Sequence, residues 1–411
     1  MPKPPPSRIV TNVSPRTKNI AAGRGNKKSK SAATAETMRD VLEDYEAYSV
    51  GVVLACDKYP NAKTGENTLP DLECAVADGR LLCRMLCGLD PEPKPDGTWE
   101  SPDDGSCGAA GGMSQCFRKV FYFENAAVTK ANIETVLERL MQLYKKRDGR
   151  VGRLYIQMAG HGLPDEDAVA TGDGSPPSVF CCSDYNEDKH YATSYPLSEL
   201  KLKLQRIGLK HITVHLDCCH AGGIFLAGRA RNAEYKVTKM AKQPVMSAIT
   251  AVTADEEALE TQGHGLFTKH LCDQIQNGWI FDNYDRDYCT LSEVFLTVKG
   301  EVEAQALTFG KSMTPMHKDM AGVHLNEQCT GEMLFFRPGV TRETWGAAAA
   351  DASGGVGSAG GAAATRGAAV GAAAAPAVEL PAELRAWATA QKIKGVDALA
   401  RALDALGVGE L

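Results

Sequence analysis

The chain has 411 residues, a formal net charge of -6, 44% hydrophobic residues and 23% charged residues. These fractions are those of a globular chain long enough for one large domain or two to three ordinary ones, and they exclude wholesale disorder. The mild acidity gives no basis for nucleic-acid binding, and no run approaches the roughly 20 apolar residues of a membrane helix.

The average hides three compositions. Residues 1–35 hold eight Lys or Arg and no Asp or Glu, while 23 of the 30 residues in 346–375 are Ala or Gly. Met1-Pro-Lys-Pro-Pro-Pro6 has no apolar h-region, so a secretory signal is not expected. Residues 1–44 read as a disordered, solvated basic tail. An organelle transit segment stays open as the alternative, since Arg8, Arg16 and Arg24 are spread along an acid-free, Ser/Thr-rich stretch. The 13 cysteines are odd in number and scattered, which argues against a disulfide framework and for a reducing, cytoplasmic setting. Cys181-Cys182 and Cys218-Cys219 are adjacent, not spaced C-x2-C, so no zinc site is expected.

From residue 45 onward, apolar strands alternate with amphipathic helices, the pattern of an α/β domain with a mostly parallel sheet. Six strands are predicted, over 49–56, 119–123, 153–158, 178–182, 211–218 and 246–252. Residues 71–87, 197–207, 266–276 and 291–307 read as helices, and 91–116 as a Pro/Gly/Asp-rich loop. The clearest helix carries Ile133, Val136, Leu137, Leu140, Met141 and Tyr144 at helical spacing. After an Ala/Gly-rich linker (339–377), residues 378–411 form an amphipathic helical segment carrying Leu380, Leu384, Trp387, Ile393, Leu399, Leu403 and Leu406, too short for a core of its own.

Open parallel sheets bind ligands at the carboxyl ends of their strands. Two such ends carry reactive groups, Ala159-Gly-His-Gly162 and Asp217-Cys-Cys-His-Ala-Gly222. A cysteine nucleophile needs an imidazole nearby, because the thiolate attacks and the imidazolium then protonates the leaving group. The bland alternative is a turn histidine and a small buried cysteine. His161 and Cys219, inside Gly-rich turns 58 residues apart, are read as the functional pair, with the amides of Gly162 and Cys219 as oxyanion donors.

This arrangement resembles the caspase and metacaspase family of cysteine peptidases, from about Tyr48 to Arg337. Ala159-Gly-His-Gly162 resembles the family's histidine turn. Asp217-Cys-Cys-His-Ala-Gly222 resembles its cysteine turn, with Cys219 rather than Cys218 as nucleophile. Val52–Tyr59, Ala75-Val-Ala-Asp78 and Gly263-His-Gly-Leu-Phe-Thr268 match in order. The resemblance implies a three-layer sandwich, a six-stranded mostly parallel sheet with helices on both faces. It divides the domain into a large-subunit-like part (45–225), a basic linker (226–244) and a small-subunit-like part (245–338). It also implies an S1 pocket lined by Asp78 and Asp217, hence cleavage after Arg or Lys, because paired carboxylates favour a guanidinium or ammonium. The partners expected are protein and peptide substrates, with no nucleic acid and no membrane.

Arg229, Arg231, Lys236, Lys239 and Lys242 are candidate self-cleavage sites of a zymogen, or a solvated basic loop. His220 is expected to point away from the thiol and His215 to be structural, while His264 either lines the cleft or, the favoured reading, caps the turn before the helix. Calcium-dependent relatives carry an Asp seven residues after the nucleophile, where this chain has Leu226. The acids Asp165, Glu166, Asp167, Asp173, Asp184, Glu187 and Asp188 do not match the family site. No cofactor is required on this reading, and calcium activation is disfavoured. Ala159, Ala221 and Cys218 replace the family's serines without touching the dyad. A catalytically silent scaffold of the same fold and a different cysteine-dependent hydrolase are the rival readings. The absence of a G-x-S-x-G elbow or phosphate loop weakens the latter.

Overall fold

Three near-continuous apolar runs form the centre of the molecule: β1 (Ser49–Ala55) and two strands that follow it in space are buried along their length. The structure is a computed structural model. It describes residues 25–62, 69–103, 107, 115–145, 151–165, 177–218, 240–253, 256–320, 331–342 and 344–345, with the side chains of 25–34 left aside. Helix α1 (Gly25–Tyr48) precedes β1, and α2 (Ala75–Cys87), β2 (Thr98–Glu100), β3 (Lys119–Glu124), α3 (Lys130–Leu143) and β4 (Arg153–Ala159) follow it. Next come β5 (Gly162–Pro164), β6 (Ser178–Cys181), α4 (His190–Thr193), β7 (Ser194–Pro196), α5 (Leu197–Leu204) and β8 (His211–Asp217). The second half holds β9 (Val245–Thr250), β10 (Glu260–Thr261), β11 (His264–Gly265), α6 (Leu266–Gln276) and α7 (Trp279–Tyr284). It closes with β12 (Tyr288–Thr290), α8 (Leu291–Thr308), β13 (Met316–Asp319) and β14 (Leu334–Phe336).

The main sheet has seven strands in the order β13-β9-β8-β4-β1-β3-β2. The five inner strands are parallel, and β2 and β13 close the edges antiparallel. This corrects the expected six. The run at 178–182 is a strand, but it leaves the main sheet and forms the middle of a three-stranded one, β5-β6-β7. Short apolar runs do not reveal which sheet they join, and the edge strands β2 and β13 carry too little apolar pattern to be read.

Alternation along β1 builds the layers. Val50, Val52 and Leu54 face a core closed by Ile133, Val136 and Leu137 of α3 and Leu197 and Leu200 of α5. Val53 faces a second core with Leu82 and Leu86 of α2, Leu271 of α6 and Val298 of α8. Both faces of a parallel sheet are thus covered, as its apolar strands require. Local signals set the helix ends. The Thr129 side chain accepts the Asn132 N–H at the start of α3, Thr290 and Glu293 form a capping box on α8, and Gly88 ends α2 in the left-handed region at φ 79°.

The expected tail boundary differs. Residues 25–48 are helical, and Met38, Val41, Leu42 and Tyr45 pack with Val151, Leu334 and Phe336 in a third cluster. Composition placed this stretch with the basic tail, although its last turns carry an apolar stripe. At its end lies a fully buried cation. Arg153 donates from Nε to Ser49 Oγ (2.6 Å), from one terminal nitrogen to the Leu334 carbonyl (3.2 Å) and from the other to the Gln115 carbonyl. Its guanidinium lies between the rings of Tyr45 and Phe117, at 4.2 and 4.1 Å. No ion pair holds it among the described residues; carbonyl dipoles and ring faces do. The expected linker (339–377) also begins too early, since Val340 and Trp345 pack against the third cluster; residues 346–377 and the segment 378–411 lie outside the described residues.

Candidate active site

Register fixes the site. In the parallel pairing of β4 with β8, Ala159 is opposite Asp217, so His161 and Cys219 each follow a paired position by two residues. Cys219 itself lies outside the described residues, as do His220, Leu226, Arg229, Arg231, Lys236 and Lys239. Lys242 is described, and its ammonium pairs with Asp40 of α1 at 2.8 Å.

His161 is held at three points. Its amide donates to the Tyr59 hydroxyl (2.8 Å), its ring lies 4.8 Å from the Tyr59 ring, and Nε2 contacts the Pro70 carbonyl at 2.8 Å. A carbonyl only accepts, so Nε2 carries the proton and Nδ1 is left with its lone pair. Burial lowers the imidazole pKa, opposed by the Pro70 contact, which favours the neutral base. Gly160 is required by space, since a Cβ there would lie 2.6 Å from the Tyr59 hydroxyl. Beyond the histidine, Cys181 N–H donates to the His161 carbonyl (2.9 Å), and Gly162 pairs with Phe180. Hydrogen-bonded and non-hydrogen-bonded pairs alternate in an antiparallel ladder, so the Gly162 amide points away from β6.

Asp78 and Asp217, 139 positions apart in the chain, meet at one glycine. An ideal Cβ on Gly265 would lie 2.7 Å from Asp78 Oδ2 and 3.0 Å from Asp217 Oδ2. Asp78, on the first turn of α2, is 2% exposed; its Oδ2 accepts the Gly265 amide (2.8 Å) and its Oδ1 accepts from His264 Nδ1 (2.9 Å). Asp217, at the end of β8, accepts from the Thr268 hydroxyl. Behind it runs a buried chain: Tyr155 Oη meets His215 Nδ1, and His215 Nε2 meets Thr268 Oγ1, both at 3.3 Å. The Thr268 proton goes to Asp217, so its oxygen accepts from His215 Nε2–H, and His215 Nδ1 accepts from Tyr155. Burial holds this imidazole neutral, its pKa lowered to about 3. His215 is thus structural, as expected, and its chain ends on a candidate site residue.

Burial raises the carboxyl of Asp78 to about 6, against the opposing pull of His264 and the Gly265 amide. Asp217 is raised to about 7, first by burial and then by the charge of Asp78. Glu260, on β10, raises both further. Two raised carboxyls thus meet at Gly265 with no Lys or Arg partner among the described residues.

Other expectations resolve variously. His264 pairs with Asp78 and does not serve merely as a turn cap. Tyr59 and Thr268 carry no sequence signal beyond the Val52–Tyr59 and Gly263–Thr268 matches, and Pro70 none, since a backbone carbonyl leaves no trace in residue type. Of the inter-motif acids, Asp165, Asp184, Glu187 and Asp188 are described, and Glu166, Asp167 and Asp173 are not. Among the described residues no group of three or more His, Cys, Asp or Glu could hold a metal ion, no disulfide forms, and no helix is long and apolar enough to cross a membrane.

A parallel-sheet sandwich with a histidine turn and an aspartate at neighbouring strand ends is a caspase-like domain. The chain belongs to the caspase domain family, whose model matches residues 50–324. Two solved structures are similar to it. The Geobacter sulfurreducens protein GSU0716 shares 14% identity at a TM-score of 0.39, over 72% of this chain and 99% of that one. Caspase-1 from Spodoptera frugiperda shares 12% at 0.38, over 66% of this chain and 86% of that one. No curated protein matches the sequence.

Proposed function

We propose that the protein is a cysteine endopeptidase that cleaves peptide bonds after Arg or Lys. The convergence of the Asp78 and Asp217 carboxylates at Gly265, with no internal Lys or Arg beside them among the described residues, supports this reading most strongly. His161 Nδ1 takes the proton of Cys219. The thiolate attacks the scissile carbonyl, and the amides of Gly162 and Cys219 stabilise the oxyanion. The imidazolium then protonates the leaving amine, and water, deprotonated by His161, hydrolyses the thioester. Pro70 keeps the imidazole in the tautomer this needs. A guanidinium or ammonium in the acidic cleft relieves the repulsion between two crowded carboxylates, whereas a carboxylate would add to it.

The test is a fluorogenic peptide panel with Arg, Lys or Asp at P1, run with calcium and with EDTA, on the wild type and Cys219→Ala. The expected result is Arg and Lys turnover that survives EDTA and vanishes in the variant. Turnover of the Asp peptide alone would overturn the acidic-cleft argument, and an active Cys219→Ala would remove the nucleophile.

A further inference from the structure

One five-residue stretch supplies the hydrogen bonds that hold both aspartates. His264 and Gly265 reach Asp78 by a ring nitrogen and an amide, and Thr268, one helical turn on, reaches Asp217. Asp78 is almost wholly buried. Burial alone would leave its carboxyl neutral, and a neutral acid holds a guanidinium poorly. Both of its oxygens therefore need donors, and His264 supplies the only side-chain one among the described residues.

We infer that His264 is a positioning residue for the cationic P1 side chain, holding Asp78 ionised and aimed at the point it shares with Asp217. The inference rests on the acidic-cleft reading above. The imidazole bonds Asp78 of α2 and pairs through its backbone with Thr261, and the titratable groups around Asp78 are Asp217 of β8, Glu260 of β10, Cys74 before α2 and Cys272 of α6. The His264 ring donates from Nδ1 to Asp78 Oδ1. Its removal takes away this donor. Asp78 then keeps its proton to higher pH.

Two readouts on the full chain test this, with His264→Ala and His264→Asn, the second keeping a neutral donor. Benzamidine binding by calorimetry between pH 5.5 and 8.5 reports the cleft without chemistry. Kinetics on an Arg peptide separate KM from kcat. In His264→Ala the rise of benzamidine affinity with pH should move alkaline by about one pH unit, and KM near pH 7 should increase roughly tenfold, the loss falling on KM rather than kcat. His264→Asn should recover most of the affinity. An unchanged midpoint and KM in His264→Ala, or a loss confined to kcat, overturns the role of His264 while leaving the cleft intact. If the wild type binds no benzamidine at any pH, the acidic-cleft reading falls and this inference with it.

Discussion

Gly265→Ala is the sharpest probe of the acidic cleft, because the structure gives its geometry directly. The added methyl would stand 2.7 Å from Asp78 Oδ2 and 3.0 Å from Asp217 Oδ2, against an ordinary contact of 3.4 Å or more. Neither carboxylate can swing aside freely. Asp78 is tied to the Gly265 amide at 2.8 Å, and Asp217 to Thr268. The methyl must push Asp78 off that amide or spread the two side chains. Overpacking of this kind costs about 1–3 kcal/mol of stability. Losing a hydrogen bond to a charged group costs about 1.5–3 kcal/mol, which in binding is roughly tenfold or more. The expected outcome is a Tm lowered by several degrees and a KM for Arg peptides raised roughly tenfold. Alkylation of Cys219 by iodoacetamide, which needs no P1 contact, should proceed near the wild-type rate. A Gly265→Ala protein that folds and shows wild-type KM for Arg and Lys peptides would refute the convergence of the two carboxylates on this glycine.

The remaining predictions concern Asp217 and Arg153. Asp217 is raised from its ordinary value to about 7, so the native state binds its proton more tightly than the unfolded chain does. Its stability contribution is full below about pH 4 and is lost as pH rises through 7. Asp217→Asn should flatten that fall, leaving the variant more stable than wild type at pH 8 by on the order of 3 kcal/mol in urea unfolding; parallel pH profiles would sink the argument. Arg153→Ala leaves the Gln115 and Leu334 carbonyls without its donors and opens a gap between two rings. The expected loss is at least about 3 kcal/mol, and a change under about 1 kcal/mol in the same assay would show that the buried cation contributes little.

The parts of the fold legible in the sequence were those with a strong period or a special backbone. The buried strands, the Ile133–Leu140 stripe and α6, which spans Leu266–Gln276 as expected, declared themselves by hydrophobic spacing. The Gly-rich turn around His161 is legible as such, but that the Tyr59 hydroxyl fills the space beside Gly160 is not. Less legible were contacts made by backbone or across long separations. The Pro70 carbonyl that sets the imidazole tautomer is invisible to a reading of side-chain types. The His215–Thr268–Asp217 chain joins residues whose proximity depends on the packing of α6 against the sheet. In the N-terminal helix, basic charge in the first half masks the stripe of Met38, Val41, Leu42 and Tyr45 in the second.

The contacts around Arg153 have one more consequence. Tyr45, Gln115 and Arg153 come from the first half of the chain, and Leu334 and Phe336 from the second. Between the halves, β8 and β9 are hydrogen-bonded neighbours in the sheet interior. A single backbone cut anywhere in 219–239 would thus fall between two pieces already sharing a sheet and a buried knot. Such a nick would leave a tight noncovalent pair, separable by denaturant but not by dilution. Gel filtration would still report one particle where a denaturing gel reports two bands.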